Sequence, residues 1–306
     1  MVKKLENPIT ISEVGVLLLG FNRPKLLKKR ISEIHDSKVE NLYISIDGGI
    51  ESHTKEMESV KQFAQQIFTG VKLNISHQST NLGMVPHITS QITRVLSSHR
   101  YIIIVEDDIK LSTSLISNLL NGINLLNESD RLGIVSGGSI LFSNQFTNKW
   151  RETCTPFMQG VAFSSDVWEG ISFDLSSVNV EKALEKSTNW QNFNKYQKVL
   201  WLKKFKMVQL NPLYTWDHQF VFHTLTNNFS TIAPIFSMIG NEGWGPEATH
   251  TKGPKPKMTK NHKLNCREIS SHTRLSKFYA LLDMDNLYNR YRTGLSRRFR
   301  TLKRVF

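Results

Sequence analysis

The first 136 residues alternate short apolar runs with stretches in which apolar residues recur every three or four positions. Five runs have the length of strands and occupy residues 14–20, 42–46, 72–76, 101–105 and 132–136. Each of the four stretches between them carries its apolar residues on one helical face. This alternation predicts an α/β fold with a mostly parallel, doubly wound sheet and right-handed crossovers.

Polar or glycine-containing segments follow three of these runs. The segments are Phe21-Asn22-Arg23, Asp47-Gly48-Gly49 and Glu106-Asp107-Asp108. In open α/β sheets the ligand binds beyond the carboxyl ends of the strands. The sequence therefore predicts a binding site at this edge of the sheet.

The three adjacent carboxylates at 106–108 are the sharpest chemical feature of the chain. They follow a strand that is apolar throughout, and they repel one another, so they require a cation or strong donors nearby. A hard divalent ion, held by one or two carboxylates and by substrate phosphates, would meet this requirement. The alternative is a solvated acidic turn before the next helix, where the helix dipole favours acids.

Beyond residue 137 the periodicity is less regular. One further helix is predicted after Trp216-Asp217, and a glycine-rich loop spans residues 240–245. Lysines and prolines at 252–263 indicate a linker. These changes predict three segments, at residues 1–136, 137–251 and 252–306.

The net charge of +13 is concentrated near the C-terminus. Residues 251–306 contain 15 Lys and Arg against three Asp and Glu. In residues 285–306 the basic side chains interleave with apolar ones, which is typical of a helix lying on an anionic membrane surface. Docking onto the body or a second subunit is an alternative, and nucleic-acid binding is the less favoured one.

Sequence features also bear on the compartment. No apolar run approaches the ~20 residues that a spanning helix needs, and the N-terminus lacks a secretory signal pattern. Cys154 and Cys266 are the only cysteines, which excludes a disulfide framework. We expect a cytoplasmic protein, associated peripherally with the inner face of the membrane if the basic tail binds there.

The run Tyr-Ile-Ile-Ile-Val-Glu-Asp-Asp at 101–108 resembles the metal-binding Asp-X-Asp variant of GT-A nucleotide-sugar glycosyltransferases. The likeness is greatest to the N-acetylglucosaminyltransferase I-like branch and its bacterial relatives. It extends to Gly-Phe-Asn-Arg-Pro at 20–24, Ser-Ile-Asp-Gly-Gly at 45–49, Asn-Leu-Gly at 81–83, Thr-Trp-Asp-His-Gln at 215–219 and the loop 243–251. These segments follow one another in the family's order. At 159–163 the chain departs from the family's Trp-rich segment, which affects acceptor specificity.

The resemblance implies a GT-A, Rossmann-like sheet with helices on both faces and a basic C-terminal helical tail. It implies that Asp108 holds Mn²⁺ or Mg²⁺ against the donor diphosphate. His250 follows a loop with three glycines, where backbone can approach a ligand closely, and is expected to be a second metal ligand or to contact the diphosphate. The donor-binding residues that the resemblance implies are Phe21, Asn22, Arg23, Asp47, Asn81, His87, Glu106 and Asp107. Asp47 could instead serve only as a turn former, His87 could be a surface histidine, and His250 could be a loop residue held by a carbonyl.

Asp217 is the expected general base of an inverting transfer, which needs one carboxylate to take the proton from the acceptor hydroxyl. The alternative is that Asp217 only caps the helix that follows. His218 and His223 could suggest zinc, but five residues turn a helix by ~140°, so the two do not share a face.

We therefore expect a metal-dependent glycosyltransferase for polysaccharide biosynthesis, a hexosyl- or N-acetylhexosaminyltransferase. It would use a nucleoside diphosphate sugar, with a UDP-sugar favoured, and a glycan or lipid-linked acceptor. A nucleotidyltransferase is disfavoured because Gly-Phe-Asn-Arg-Pro offers one glycine rather than a phosphate loop. The other alternative is a non-catalytic protein that binds nucleic acid or membrane through its basic tail.

Overall fold

The computed structural model describes residues 8–49, 54–126, 132–139, 150–235 and 237–243. The expected metal ligand His250 and the basic segment 252–306 lie outside these residues, as does most of the loop 243–251. None of the described helices is both long and apolar enough to cross a membrane.

Ten strands are described, and the five predicted from the sequence are all present with ends within one residue of the expected ones. The strands are β1 (Val14–Gly20), β2 (Asn41–Ile46), β3 (Lys72–His77), β4 (Tyr101–Glu106), β5 (Ile109–Leu111), β6 (Leu132–Ser136), β7 (Trp150–Thr153), β8 (Val161–Ser164), β9 (Ser230–Pro234) and β10 (Ile239–Asn241).

Eight of the strands form one mostly parallel sheet in the order β3-β2-β1-β4-β8-β6-β9-β7. β8 runs antiparallel between β4 and β6, and β7 runs antiparallel at the edge. β5 and β10 form a separate antiparallel pair. The predicted α/β architecture is therefore confirmed, and the sheet continues across the boundary that the sequence places after residue 136.

The four predicted helices of the first half are also present: α1 (Pro24–His35), α2 (Thr54–Ile67), α3 (Met84–Leu96) and α4 (Leu115–Leu126). α1 begins with proline, whose missing N–H costs nothing at the first helical position. The remaining helices are α5 (Ser165–Trp168), α6 (Val180–Leu184), α7 (Thr188–Gln191), α8 (Lys195–Leu210) and α9 (Asp217–Thr226).

Helices cover both faces of the sheet. α1, α2 and α4 pack on the face to which Val14, Val16 and Leu18 point. α3 packs on the opposite face with Leu17 and Leu19. Because β1 is buried on both faces, its sequence is continuously apolar instead of alternating.

A third apolar cluster joins α6, α7, α8 and the outer part of α9. α9 connects this helical layer to the sheet through Phe220, whose ring lies 4.9 Å from Phe163 of β8 and 5.7 Å from Trp216, between ring centroids. The start of α9, where Asp217 lies, is therefore fixed by packing between the two layers.

We predict that Phe220→Ala lowers the free energy of unfolding by about 3–5 kcal/mol, because it removes a fully buried ring. Urea unfolding followed by circular dichroism measures the change. Phe63→Ala, at a partly buried position on α2, is the control and should lower the free energy of unfolding clearly less. Equal losses for the two variants would contradict the role of Phe220 as the link between layers.

Candidate functional site

The first residues after β1, β2 and β4 lie side by side at the carboxyl edge of the sheet. The Asp47 N–H donates to the Gly20 carbonyl at 2.9 Å, and the Asp107 N–H donates to the Leu19 carbonyl at 2.9 Å. The backbone hydrogen bonds between the strands thus continue for one residue beyond the ends of β2 and β4. It brings together the three polar segments that the sequence singled out.

Arg23 connects α1 to the acidic segment. Its Nη1 lies 3.3 Å from Asp107 Oδ1 and 3.4 Å from Asp108 Oδ2, and all three side chains are largely buried. The Phe21 backbone N–H also donates to the Asp107 carboxylate. The acidic segment is therefore a desolvated cluster, and the interpretation as a solvated acidic turn is wrong.

Burial dominates the protonation of these carboxylates. It raises the pKa of Asp107 to about 6, together with the charge of Asp108 and against the opposing effect of Arg23. Burial also raises the pKa of Glu106 well above its ordinary value, with further contributions from the charges of Asp108, Asp107 and Asp217. The pKa of Asp108 is raised by burial as well, although Arg23 opposes it. The positive charge of Arg23 thus does not bring the pKa values of these three carboxylates back to their ordinary range.

One carboxylate oxygen of this cluster has no partner. Asp108 Oδ1 is buried and accepts no hydrogen bond from any described residue. A carboxylate oxygen without a donor, in a cluster with excess negative charge, fits a hard divalent cation. Among the described residues, no three His, Cys, Asp or Glu side chains are placed so that they could hold one metal ion together. Such an ion would therefore need further ligands from a bound diphosphate or from outside that part of the chain.

Gly243 brings the chain directly against Asp108. A Cβ at this position would lie 2.3 Å from Asp108 Oδ2 and 2.9 Å from Cγ, so a side chain there would collide with the carboxylate. The Glu242 N–H donates to the Asp108 carbonyl at 2.7 Å, at the end of the β5–β10 pair. The loop that the sequence associates with the site therefore begins in contact with Asp108.

A buried ionic network holds this contact in place. Arg30 is fully buried, and its Nη2 lies 3.0 Å from both Glu33 Oε1 and Glu242 Oε2. Lys29 Nζ lies 2.7 Å from Glu242 Oε1. Burial alone would raise the pKa of Glu242, but its hydrogen bonds and charge interactions with Lys29 and Arg30 outweigh this and lower the pKa. Helix α1 is thereby tied to the segment that enters the site.

Asp47 has a structural role besides the donor binding that the resemblance implies. Its Oδ1 accepts hydrogen bonds from the N–H groups of Gly48 and Leu82 at 2.9 Å, and Oδ2 accepts one from Gly83 at 3.1 Å. The Asn81 carboxamide oxygen also accepts from the Gly83 N–H, at 2.7 Å. Asp47 and Asn81 thus fix the loop 81–83 beside the site.

His87 is buried, so the interpretation as a surface histidine is wrong. Its Nε2 lies 2.8 Å from Ser45 Oγ on β2, to which Ser76 Oγ donates from β3. Burial lowers the pKa of His87, which favours the neutral imidazole, although the charge of Asp47 opposes this effect. The position faces the sheet because it lies on the same helical face as the apolar residues of α3.

Asp217 is the first residue of α9, and Trp216 occupies the N-cap position. Asp217 is therefore not the capping residue, although an acid in the first turn suits the helix dipole. Its Oδ1 accepts a hydrogen bond from the Thr215 hydroxyl. The side chain is 34% exposed, and its charge raises the pKa of Glu106. A partly exposed carboxylate thus acts electrostatically on the buried acidic cluster.

The sequence did not indicate that Arg30 and Glu242 support the site or that Gly243 contacts Asp108. The one signal in the sequence is Arg30 itself, a basic residue within the apolar face of α1. Such a residue is rarely buried without a partner, and that partner is 212 positions away.

No protein-family model and no curated protein matches the chain. Among solved structures, a mannosyltransferase from Pyrobaculum calidifontis in complex with GDP-Man and Mn²⁺ matches with 13% identity and a TM-score of 0.40. The match covers 56% of this chain and 51% of that one, so this chain spans about half the length of the mannosyltransferase.

A 4-diphosphocytidyl-2C-methyl-D-erythritol synthase from Anaerococcus prevotii matches with 10% identity and a TM-score of 0.32. That match covers 51% of this chain and 73% of the synthase. Both TM-scores are low, so the function of this chain has to be inferred from its own side chains.

We predict that stability falls as the pH rises through the pKa of Asp107. That pKa is about 6 in the folded chain and ~3.9 in an unfolded one. The folded state therefore holds the proton more tightly, and the resulting stabilisation is complete below about pH 4 and lost above about pH 6. The shift corresponds to about 3 kcal/mol. Urea unfolding between these pH values without divalent ions measures it.

Asp107→Asn should flatten this pH profile, because the amide does not titrate. Glu169→Gln, at an exposed position outside the site, is the control and should leave the profile unchanged. Parallel profiles for wild type and Asp107→Asn would show that Asp107 titrates normally.

We predict that Glu242→Gln lowers the free energy of unfolding by about 3–5 kcal/mol, because it leaves the fully buried Arg30 with one carboxylate fewer. Glu58→Gln is the matched control. Glu58 pairs with Lys61 at 2.9 Å on the outer face of α2, and its loss should cost at most about 1 kcal/mol. If Glu242→Gln lowers the free energy of unfolding no more than the control does, the network does not stabilise the contact between α1 and this segment.

Proposed function

We propose that this chain is a metal-dependent glycosyltransferase with a GT-A fold that uses a nucleoside diphosphate sugar. The observation that supports it best is the buried Asp108 Oδ1, which has no hydrogen-bond donor among the described residues. It lies at the carboxyl edge of the parallel strands, where ligands of open α/β sheets bind. The resemblance of the segment 101–108 to the family's metal-binding motif agrees with this placement.

In this proposal Asp108 holds Mn²⁺ or Mg²⁺, with His250 as a second ligand, against the donor diphosphate. Bound there, the ion would neutralise the charge that develops on the departing nucleoside diphosphate. The raised pKa values of Glu106, Asp107 and Asp108 support the need for added positive charge. A cation would allow the three side chains to remain ionised together.

The donor nucleotide would lie along the edge formed by the ends of β1 and β2. Phe21 and Asn22 would border the base and ribose, and Asp107 would lie near the ribose. Arg23 contacts both aspartates through Nη1 and so offsets part of their mutual repulsion. Asp47 and Asn81 would contribute by fixing the loop 81–83, and His87 would contribute through its contact with Ser45 on β2. The resemblance favours a UDP-sugar.

Asp217 is the proposed general base. Its carboxylate would take the proton of the acceptor hydroxyl as that oxygen bonds to the anomeric carbon and the bond to the diphosphate oxygen breaks, with inversion. Partial exposure leaves it accessible to an acceptor from solvent. The Thr215 hydroxyl would orient it. Glu106 would face the donor sugar.

The first test is thermal unfolding with UDP, GDP, CDP and ADP, each with and without Mn²⁺. A ligand that binds only the folded state stabilises it by ~2.7 kcal/mol at 100 times its Kd. We expect one nucleotide to raise the melting temperature only with Mn²⁺, and Asp108→Asn to abolish the shift. Asp174→Asn is the control for a lost surface carboxylate.

The second test separates binding from chemistry. Asp217→Asn should keep the nucleotide and Mn²⁺ shift while lowering transfer by at least ~100-fold, since a general base contributes 10²–10⁴-fold. Release of nucleoside diphosphate from a panel of donor sugars measures the rate. No shift with any nucleotide would refute the donor site, and a non-catalytic role of the basic tail would then be the better hypothesis.

A further inference from the structure

The exposed apolar side chains of the described residues are concentrated in one place. Five large hydrophobic side chains are exposed among the described residues, and four of them lie between residues 199 and 214. Val199 is 62% exposed, Leu210 80% and Leu213 65%, and Tyr214 is also exposed. They belong to α8 and to the turn 211–214 that connects it to α9.

Among the side chains described on α8, the exposed ones form a single stripe. They occupy positions 195, 199, 203, 206 and 210, at helical spacings of three and four. The stripe consists of Lys195, Val199, Lys203, Lys206 and Leu210. The opposite face of the helix packs into the third apolar cluster through Trp201, Phe205 and Val208. The helix is therefore held firmly, and its basic and apolar side chains point outward together.

Lysine is the only charged residue type on this helix. The 16 residues of α8 include five lysines and no Asp, Glu or Arg. The two lysines beside the stripe lie over aromatic rings, Lys204 at 4.4 Å from the Trp201 centroid and Lys198 at 5.9 Å from the Trp190 centroid. The aliphatic part of such a lysine side chain covers apolar surface while its ammonium group reaches water.

The turn beyond α8 is tied to α9. The Gln219 side chain is fully buried, and its Nε2 donates to the Pro212 carbonyl at 2.8 Å. The Tyr214 N–H donates to the Asn211 carbonyl at 3.1 Å and closes the turn. Leu213 and Tyr214 therefore extend the stripe on a fixed support, three residues or more before Asp217.

We propose that this basic–apolar face, defined by Lys195, Val199, Lys203, Lys206, Leu210, Leu213 and Tyr214, docks on an anionic membrane surface. The ammonium groups would lie at the level of the lipid phosphates, and the aliphatic side chains would enter the boundary between headgroups and acyl chains. This face belongs to the folded body and is separate from the basic tail.

The composition of the face favours lipid over a protein partner. Protein interfaces are depleted of lysine and enriched in arginine and aromatic residues, whereas this face has three lysines and three aliphatic side chains. The chain's own tail, with 15 basic against three acidic residues, would be repelled. A symmetric contact with a second copy would oppose the same lysines to one another.

Docking in this orientation would have a consequence for the acceptor, which rests on the proposed function. The membrane-contacting turn leads directly to the candidate base, so the acceptor hydroxyl would be presented close to the lipid surface. A lipid-linked acceptor fits this geometry better than a free glycan.

The test is co-sedimentation of the full-length protein with vesicles of phosphatidylcholine, alone or mixed with phosphatidylglycerol. Each lysine near an anionic surface is worth ~1 kcal/mol, so Lys203→Ala with Lys206→Ala should weaken binding to the mixed vesicles by about 30-fold. Leu210→Ser with Leu213→Ser should weaken it by at least about tenfold, because two aliphatic side chains no longer enter the bilayer boundary. The tail is unchanged throughout, so these ratios report the face alone.

The charge-matched control is Lys55→Ala with Lys72→Ala, two exposed lysines at the start of α2 and β3. It should bind like the wild type. An equal loss in the control, or wild-type binding by the leucine variant, would overturn the proposal, and the latter result would indicate a purely electrostatic polyanion site. Thermal shifts with nucleotide and Mn²⁺ on the same variants report the donor site separately, so either proposal can fail alone.

Discussion

The structure is organised around uncompensated negative charge at the end of a buried strand. Glu106, Asp107 and Asp108 follow β4 directly, and burial raises the pKa of each. Arg23 contacts two of them, but its single charge does not restore their ordinary acidity. Burying three carboxylates next to one another lowers the stability of the fold. Buried groups with shifted pKa values are typical of functional sites.

The surroundings of the cluster are correspondingly rigid. Pairing of β5 with β10 brings Gly243 against Asp108. Only glycine fits there, because a Cβ would collide with the carboxylate. The network of Lys29, Arg30 and Glu242 then ties that segment to α1. On the other side, Asp47 and Asn81 hold the loop 81–83 through backbone N–H groups. Both flanks of the proposed donor site are thus fixed before any ligand binds, which lowers the cost of ordering on binding.

The helical layer carries the proposed membrane face. α8 packs its aromatic side chains inward and presents lysines and aliphatic residues outward. α9 receives the turn from α8 at Pro212 and begins with Asp217, whose position depends on Trp216 and Phe220 packed behind it. The proposed membrane face and the proposed base are therefore parts of one rigid unit, and the depth of docking would fix the height of the base above the lipid.

The sequence by itself determined the parallel strands β1 to β4 and β6 and the helices α1 to α4, because continuous apolar runs and 3.6-residue periodicity are local signals. It also located the acidic segment, since strand ends are readable from the chain. Tertiary structure alone decided that β8 separates β4 from β6, that His87 is buried against Ser45, and that Asp47 binds backbone N–H groups. These depend on contacts between residues far apart in the chain, such as Arg30 with Glu242. No local pattern encodes them, because a buried charge and a surface charge look the same until the partner is in place.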